Sequence, residues 1–473
     1  MQSYNKHVQE FLQSVCKEIR FKSIHKNITK ELSDHIEDQK NEYIKQGLAE
    51  ETAVLKAVEQ MGDPIIVGKQ IDKANRPKTE WSILSLAAFL VVLGGVVQFF
   101  LSGVNANSAD MFSHFLLYAP IGIVVFAIIY FFDYTLLGRY SKIAYFILLA
   151  ISVAGFLGLN KRNGAYTHVY YSVLLFIPAF AGIIYGFKNK GYLGIIFSGL
   201  FYAGAAFMCI LAPSFSGLLL LTISYLVILT VSIAKGFFGG NKKVSLAIVY
   251  IPTLLTFILS ILTITLTSPY RFERIVNMIK PGHDPSGYGW QYMMIKQLFT
   301  SSKPIGKAIL DGPIANMRVD QVLPGWATDF SLTYIIARFG YLAGMTIVAI
   351  MIILIVRMFV SVLKQKNAYG FLVSFSACLA ITGQIILYVL SNIGVIAPLA
   401  VILPFISFGA FGFIANMALV GLLLSVYRRT GLVNDKLQNV QRSAHLFTLV
   451  DGKLIIDLGI KATDNLGRKN RPY

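Results

Sequence analysis

The chain has 473 residues, of which 55% are hydrophobic and only 14% are charged, and its mean hydropathy is +0.62. A soluble domain of ordinary composition carries roughly a quarter charged residues, so this composition excludes one. The formal net charge of +18 suggests a nucleic-acid partner, but the distribution of the basic residues argues against nucleic acid. The composition indicates a protein embedded in a membrane.

Residues 1–75 form the first predicted unit, a small cytoplasmic helical domain. Apolar residues recur at helical spacing across 11–19 and 28–43. The stretch "EETAVLKAVEQM" predicts a third helix, and Gly-Asp-Pro at 62–64 predicts the start of a fourth. The pattern resembles the helical prefix domains that precede some bacterial permeases and signalling membrane proteins. A helical bundle without an activity of its own is the alternative.

Apolar stretches long enough to cross a bilayer follow this unit. A transmembrane helix needs about 20 apolar residues at a rise of about 1.5 Å per residue. The sequence predicts ten such spans, at 82–100, 113–132, 143–159, 169–187, 192–211, 217–234, 244–266, 331–356, 369–390 and 395–426. The predicted fold class is an all-α integral membrane protein with about ten transmembrane helices.

Basic residues are distributed unevenly among the short loops between these spans. Lys and Arg occupy every second short loop, whereas the loops near Asp110, Pro213 and Ile393 carry none. The positive-inside rule therefore predicts that both termini are cytoplasmic and that the protein is a multi-pass plasma-membrane protein. Lys161 and Arg162 are exceptions on a predicted outer loop.

Two segments outside the spans carry further patterns. The long extracellular loop 267–330, before the eighth span, exceeds the length of ordinary structureless connections, and its "YGWQYMMIKQLF" predicts an interfacial amphipathic segment. In the cytoplasmic tail, 431–473, Asp451-Gly452 stands between two alternating apolar runs, which predicts a β-hairpin.

Asp329 stands where the polar loop meets the apolar run of the eighth predicted span. One interpretation is a helix N-cap, because an Asp side chain can accept hydrogen bonds from the first N–H groups of a helix. The other interpretation is a functional acid. The spacing alone does not decide between them.

Cysteine and histidine patterns give no metal or redox site. The three cysteines are far apart and predict free thiols, and the seven histidines form no cluster with ligand spacing. No metal is predicted and no cofactor is evident. A divalent cation is compatible with the sequence but no motif supports it.

Three stretches carry a resemblance: "WQYMMIKQLFTSSKPIGK" (290–307), "LPGWATDFSLTYIIARFGYLAG" (323–344) and "NIGVIAPLAVILPFISFGAFGFIAN" (392–416). In this order, across 80–430, they resemble the SEDS family of membrane glycosyltransferases (FtsW/RodA/SpoVE type). The residues that match the family motifs include Gln291, Ser301, Lys307, Thr328, Asp329, Asn392, Pro404, Ser407, Gly409 and Asn416.

The resemblance implies a peptidoglycan glycosyltransferase for cell shape, division or sporulation. Members polymerise glycan strands from lipid II, a disaccharide-peptide on undecaprenyl pyrophosphate, beside a class B penicillin-binding protein. Asp329 would be the catalytic base. The residues expected to bind substrate or pyrophosphate are Lys307, Lys303, Lys161, Arg162, Gln291 and Ser301. The residues expected to be structural are Pro404, Ser407, Gly409, Asn392 and Asn416, with Pro404 and the two glycines 409 and 412 kinking the last helix.

Several positions depart from the family pattern and keep other functions open. Ala327 replaces a histidine, Ala337-Arg338 replaces two glutamates, and Ser214 replaces an acid. A catalytically inactive scaffold or regulator of cell wall synthesis, with an unknown cytoplasmic partner for residues 1–75, is one alternative. A flippase for the lipid-linked precursor is another, but it would need polar groups at mid-bilayer, and the spans contain few.

Overall fold

The computed structural model describes residues 2–20, 22–74, 76, 78–158, 166–212, 214–266, 272–273, 276–277, 280, 283–284, 286–287, 289–311, 315–430, 447–450 and 453–456. The chain divides into two compact units. The first comprises residues 1–78 with 429–434, and the second comprises residues 79–428 with 435–473.

The first unit contains four helices, α1 (Gln2–Glu18), α2 (His25–Lys45), α3 (Glu50–Gln60) and α4 (Pro64–Ala74). Val15, Ile36 and Ala53 are almost completely buried in its apolar core. The Asp63 carboxylate accepts a hydrogen bond from the N–H of Ile65 at 2.8 Å, in the first turn of α4. The unit therefore has its own core, which its amphipathic helices supply.

The second unit holds the apolar helices. In chain order they are α5 (Trp81–Ser102), α6 (Met111–Phe131), α7 (Tyr134–Gly158), α8 (Thr167–Gly186), α9 (Gly191–Leu211), α10 (Phe215–Ala234), α11 (Lys242–Leu266), α12 (Trp290–Thr300), α13 (Val319–Val322), α14 (Ser331–Phe339), α15 (Tyr341–Leu363), α16 (Ala368–Asn392) and α17 (Ala410–Arg428). Ten of these described helices, all except α12, α13 and α14, are long and apolar enough to cross a membrane.

Burial separates central from peripheral helices. Most side chains of α8, α10, α16 and α17 are buried, whereas α5, α6, α7 and α11 are largely exposed. Large apolar side chains such as Phe89, Ile128 and Ile251 lie on the exposed surface. So much exposed apolar surface is unfavourable in water and favourable in lipid, as expected of a multi-pass membrane protein.

Three of the ten predicted spans are wrong at their starts, and the third, predicted at 143–159, begins nine residues earlier, at Tyr134. The eighth was predicted at 331–356, but the chain breaks at Gly340, so the short α14 precedes the spanning helix α15. Gly340 has φ 100°, and a Cβ there would lie 2.6 Å from the Pro304 carbonyl oxygen. The tenth was predicted at 395–426, but residues 393–409 are not helical and α17 begins at Ala410.

Near the C-terminus, strands β1 (Phe447–Val450) and β2 (Lys453–Ile456) pair antiparallel, with Phe447 opposite Ile456 and Val450 opposite Lys453. The residues of the predicted turn, Asp451-Gly452, lie outside the described part of the chain.

Candidate active site

Asp329 lies in a tight turn that leads into α14. The turn closes on Gly325, whose carbonyl accepts hydrogen bonds from the N–H groups of Thr328 and Phe330, both at 3.0 Å. Gly325 has φ 78°, a conformation that glycine adopts without steric cost. Asp329 is half-buried between the buried Thr328 and Phe330. The turn therefore holds the acid at the edge of the protein interior.

Two N–H groups in the first turn of α14 donate to side chains of another helix. The N-cap position is Phe330, which provides no side-chain cap. The Tyr388 hydroxyl and Asn392 Oδ1, both from α16, accept hydrogen bonds from the N–H groups of residues 332–333 at 2.9 and 3.1 Å. The N-cap position is thus Phe330 and not Asp329, and α16 supplies partners for two N–H groups in the first turn of α14.

Asn392 also holds Asp329 through the main chain. Its Nδ2 donates hydrogen bonds to the carbonyl oxygens of Asp329 at 2.9 Å and of Tyr388 at 3.0 Å. The Thr333 hydroxyl donates either to Asn392 Oδ1, at 3.0 Å, or to the main-chain carbonyl oxygen of Asn392, at 2.8 Å. Asn392 is completely buried, so these groups would be costly to leave unpaired. Asn392 thus fixes the backbone of the candidate base.

A cluster of buried hydroxyl groups ties α14 to the non-helical segment 393–409. Ser331 Oγ lies 2.8 Å from the Tyr388 hydroxyl and 2.8 Å from Ser407 Oγ. Ser407 Oγ also accepts a hydrogen bond from the N–H of Leu403 at 3.0 Å. Ser407 therefore links the segment that follows α16 to the helix that follows Asp329.

Two buried glutamines from distant spans hold segment 393–409 in its non-helical conformation. Gln98 Nε2 in α5 donates to the carbonyl of Ile406 at 2.7 Å, and Gln384 Nε2 in α16 donates to the carbonyl of Ile402 at 2.9 Å. Buried backbone carbonyls need such partners, and this segment forms no helix that would supply them. The amides thus replace the helical hydrogen bonds that the segment lacks.

The same segment contacts the Asp329 turn directly. The N–H of Phe408 donates to the carbonyl oxygen of Ala327 at 3.1 Å. Phe405 adopts φ 67°, which is uncommon for a bulky side chain. The glycine at 94 in α5 lets the Phe405 carbonyl approach, since a Cβ there would lie 2.1 Å from its oxygen. Segment 393–409 therefore packs directly beside the turn that carries Asp329.

The remaining motif residues lie around the start of α17. Pro404 and Gly409 precede α17, so the prediction that they kink the last helix is wrong. Gly412, predicted to share in that kink, lies inside α17, where a Cβ would come within 1.9 Å of Ile402 Cδ1. Asn416 Nδ2 donates to the carbonyl of Gly412 in the same helix at 2.8 Å. These residues shape the packing of segment 393–409 against α17.

Two phenols lie close enough to Asp329 to interact electrostatically with its carboxylate, Tyr170 in α8 and Tyr388 in α16. The Tyr170 hydroxyl is buried and has no hydrogen-bond partner among the described residues. A carboxylate in partly buried surroundings of this kind can accept a proton from a bound hydroxyl group.

Helix α12 also contacts the turn that carries Asp329. Gln291 Nε2 donates to the carbonyl oxygen of Pro324 at 3.3 Å. Ile295 and Leu298 pack in one apolar cluster with Trp326 and other residues of the turn and of α14. Gln291 therefore contacts the loop that carries Asp329, and this contact is to backbone.

Lys307 and Lys303, the two lysines of the long loop that were predicted to bind pyrophosphate, lie at the end of α14 that is farther from Asp329. The N–H groups of Gly306 and Ala308 donate to the carbonyls of residues 339 and 337, at 3.0 and 2.7 Å, and Lys307 between them is exposed. Lys303 is exposed too, and its carbonyl accepts from the N–H of Tyr341 at 2.8 Å. The structure therefore does not bring Lys307 and Lys303 to Asp329.

Lys307 faces a groove of about 600 Å³ between α14 and the end of α5. Arg318, Asp320, Tyr334 and Arg338 also line it, whereas Asp329, Lys303 and Ser301 do not. The carbonyl of Ser301 accepts from the N–H of Ile309 at 3.2 Å, so Ser301 supports the loop. The predicted site therefore separates into an Asp329 region and a cationic groove.

Two further points concern the predicted basic residues at 161–162 and metal binding. Lys161 and Arg162 fall outside the described residues. Within the described part of the chain, no group of three or more His, Cys, Asp and Glu side chains could hold a metal ion.

The sequence analysis missed several residues of the site. Tyr388 precedes Asn392 by one helical turn, and this i, i+4 pair of polar groups in an apolar span was an available signal. Gln98, a lone amide in α5, was another. Ser331 and Thr333 carried no such signal, because they read as ordinary members of an apolar helix.

Comparison with known proteins identifies the family of the chain. The FtsW/RodA/SpoVE family, described as cell cycle protein, matches residues 80–431. The chain belongs to this family. A peptidoglycan synthase complex that coordinates polymerization and crosslinking contains a chain with the same fold, at TM-score 0.58 and 18% identity over 75% of this chain and 99% of that one.

Curated relatives of this SEDS protein match over shorter stretches. The probable peptidoglycan glycosyltransferase FtsW of Borreliella burgdorferi is 28% identical over 158 residues, 33% of this chain and 42% of the relative. Stage V sporulation protein E of Bacillus subtilis is 30% identical over 175 residues, 35% of this chain and 44% of the relative. The chain thus spans less than half the length of these two relatives.

Proposed function

We propose that this SEDS protein is a peptidoglycan glycosyltransferase that polymerises lipid II, with Asp329 as its general base. The observation that carries the proposal is the position of Asp329, half-buried in a tight turn near the buried phenols of Tyr170 and Tyr388. Asn392 meanwhile fixes the Asp329 backbone. The FtsW relative is named a probable peptidoglycan glycosyltransferase, which supports the same activity.

The reaction needs a base beside the acceptor sugar. The acceptor hydroxyl gives its proton to the Asp329 carboxylate while its oxygen attacks the anomeric carbon of the donor. The glycosidic bond forms, and the bond from that carbon to the pyrophosphate breaks, so the lipid pyrophosphate leaves with the electron pair. Positioned general bases contribute about 10²–10⁴-fold to such steps.

The proposed orientation places residues 267–330 outside the cell and both termini in the cytoplasm. The basic residues of alternate short loops support it. In this orientation Asp329 lies at the outer membrane surface, where a lipid-linked disaccharide is accessible. A class B penicillin-binding protein would crosslink the product, and the cytoplasmic unit 1–78 would bind a partner inside the cell.

The remaining predicted residues take different roles in this proposal. Gln291 and Ser301 position the loop, on the basis of their backbone contacts. Lys307 binds a pyrophosphate from the groove, whereas Lys303 lies outside it and contacts the outer headgroup region. Lys161 and Arg162 stay predicted pyrophosphate ligands.

An inactive scaffold of cell wall synthesis is the second candidate, because of one structural observation. Ala327, where the family pattern has a histidine, is only 3% exposed and packs in the apolar cluster beside the turn. The position therefore supplies no polar side chain next to Asp329. A scaffold would keep the fold and recruit its partners without polymerising glycan.

The test is polymerisation of lipid II by the purified full chain, with and without a class B partner. Asp329→Asn removes the proton acceptor and nearly preserves size, so we expect at least about 10²-fold slower polymerisation and an unchanged unfolding temperature. Asp311→Asn, an exposed acid in the same loop, is the matched control and should be unaffected. Full activity of Asp329→Asn would remove the assignment, and a wild type inactive with every partner would favour the scaffold.

A further inference from the structure

Helix α4 of the first unit has a packed side and an exposed side. Gly68 is on the packed side, since a Cβ there would lie 2.7 Å from Glu18 Cβ in α1. Four residues share the exposed side of the helix, namely Ile65, Ile66, Lys69 and Lys73. At about 100° per residue, their directions fall within roughly 100° of one another around the helix axis. The exposed side therefore carries two large apolar side chains, 47% and 55% exposed, together with two lysines.

Charge is distributed unevenly between α3 and α4. Residues 50–63 contain four acids and one lysine, whereas residues 64–78 contain one acid and four basic residues. The acid of 64–78 is Asp72, which is buried and whose Oδ2 lies 3.1 Å from Arg76 Nη2, so these two charges compensate each other. No described carboxylate forms an ion pair with the other three basic residues, Lys69, Lys73 and Lys78. The exposed side of α4 and the chain that follows it therefore carry uncompensated positive charge.

A short stretch of chain joins α4 to the first spanning helix. Ala74 ends α4 and Trp81 begins α5, and the seven steps between them reach at most about 25 Å when fully extended. The end of this stretch is fixed to the membrane domain, because Thr79 Oγ1 lies 3.1 Å from the Tyr130 hydroxyl of α6. Trp81 is 73% exposed, as aromatic side chains at a membrane–water boundary commonly are. The chain therefore keeps α4 within reach of the membrane surface at which α5 begins.

We propose that the exposed side of α4 binds the anionic phospholipid surface at which α5 enters the membrane, with Ile65 and Ile66 among the acyl chains and the lysines beside the phosphates. An amphipathic helix binds such a surface through apolar burial and through attraction of its basic residues to anionic lipid. Each basic residue near the surface contributes about a fivefold factor in affinity. Because the spans already anchor the chain, this binding is intramolecular and a modest affinity suffices.

The test places an environment-sensitive fluorophore on the exposed side of α4 in the full chain. Ile66→Cys, in a Cys16→Ser background, is labelled with a nitrobenzoxadiazole dye, and the other two cysteines, Cys209 and Cys378, are buried. The labelled chain is reconstituted in nanodiscs of phosphatidylcholine or of an equal mixture of phosphatidylcholine and phosphatidylglycerol. We expect blue-shifted and about threefold stronger emission in the anionic nanodiscs, because the dye leaves water for the interface. Leu55→Cys, at an exposed position of the acidic α3, is the matched control and should report water in both lipids.

Charge variants distinguish this side of α4 from the other lysines of the unit. Lys69→Gln combined with Lys73→Gln should abolish the change in emission, because a factor of about five is lost at each position. Lys45→Gln combined with Lys56→Gln removes the same charge from exposed positions of α2 and α3 and should leave the change in emission intact. High salt should weaken the change in emission, since it screens exposed charges.

Several results would overturn the proposal. Emission typical of water in both lipids would show that the exposed side of α4 does not bind the membrane. Blue-shifted emission that is already present in detergent would show that protein covers this side. Equal losses in the two double variants would show that net charge decides, and not this side of α4. No lipid II is present in these measurements, so their outcome is independent of the proposed polymerisation.

Discussion

The membrane domain holds an acidic residue near each end of α5, and the two acids are held in different ways. Glu80 precedes the first residue of α5, and its carboxylate oxygens lie 3.0 Å from Arg357 Nη2 and 3.7 Å from Lys364 Nζ. Asp329 lies near the other end, and Asn392 holds it through its main-chain carbonyl. One acid is fixed by its charge and the other by its backbone.

The surroundings of Glu80 show the consequence of charge pairing. Burial raises the pKa of its carboxyl, but hydrogen bonds from Tyr427 and Ser82 and the charges of Lys364 and Arg357 outweigh it, so the pKa lies below its usual value of 4.5. An acid with a lowered pKa is a poor proton acceptor at neutral pH. Glu80 therefore joins α5 to α15, and the comparison predicts that it contributes to stability and not to catalysis.

The largest effect is expected from removing the side chain that holds the main chain of Asp329. Asn392→Ala leaves the carbonyl of Asp329 and the N–H of Thr333 without their partners. We expect about 2–4 kcal/mol lower free energy of unfolding, since each buried unpaired group costs about 1–3 kcal/mol. Polymerisation should fall further than the loss of folded protein explains, because the turn that carries Asp329 loosens.

The matched control for this variant is Ser376→Ala in the same helix. Ser376 is completely buried, but its hydroxyl donates only within α16, to the carbonyl of Val373 at 2.7 Å. We expect a loss within about 1 kcal/mol and normal polymerisation per folded molecule. Chemical unfolding in detergent measures both variants, and equal effects of the two would show that Asn392 has no special role.

A smaller and purely structural effect is expected at Glu80. Glu80→Gln removes the charge that faces Arg357 and Lys364, and we expect about 1–2 kcal/mol lower stability. This is below the range for fully buried pairs, because Arg357 and Lys364 are 41% and 48% exposed and solvent screens them. The rate of polymerisation per folded molecule should not change. Asp110→Asn, an exposed acid that provides no cap for α6, should leave both stability and rate unaltered.

The pH dependence of this effect is the smallest expected change. Because the pKa of Glu80 is lowered on folding, its stabilisation is complete above its usual value of 4.5 and is lost as the pH falls through its folded pKa. The unfolding temperatures of the wild type and Glu80→Gln should therefore converge on acidification below about pH 4.5. A constant difference down to pH 3 would contradict the pairing.

How far the sequence could predict the structure differs between the spans and the site. Seven of the ten spanning helices lie within a few residues of their predicted positions, and an eighth, α7, starts nine residues early, at Tyr134. Hydropathy identifies them because each must bury an apolar length in lipid. The other two misplaced starts, near Gly340 and in 393–409, border the candidate site, where apolar residues are buried in protein without forming a continuous helix.

The sequence by itself determined the membrane class, the family and the identity of Asp329 as a residue of interest, since hydropathy and motif order are local properties. It left open whether that acid caps a helix. Only the tertiary structure places Phe330 at the N-cap position and brings Tyr388 and Asn392, about 60 residues away along the chain, to the N–H groups of residues 332 and 333. The tertiary structure also places Lys307 away from Asp329, because backbone hydrogen bonds hold the loop that carries Lys307 against the far end of α14. Such contacts join residues far apart in sequence, so no local pattern encodes them.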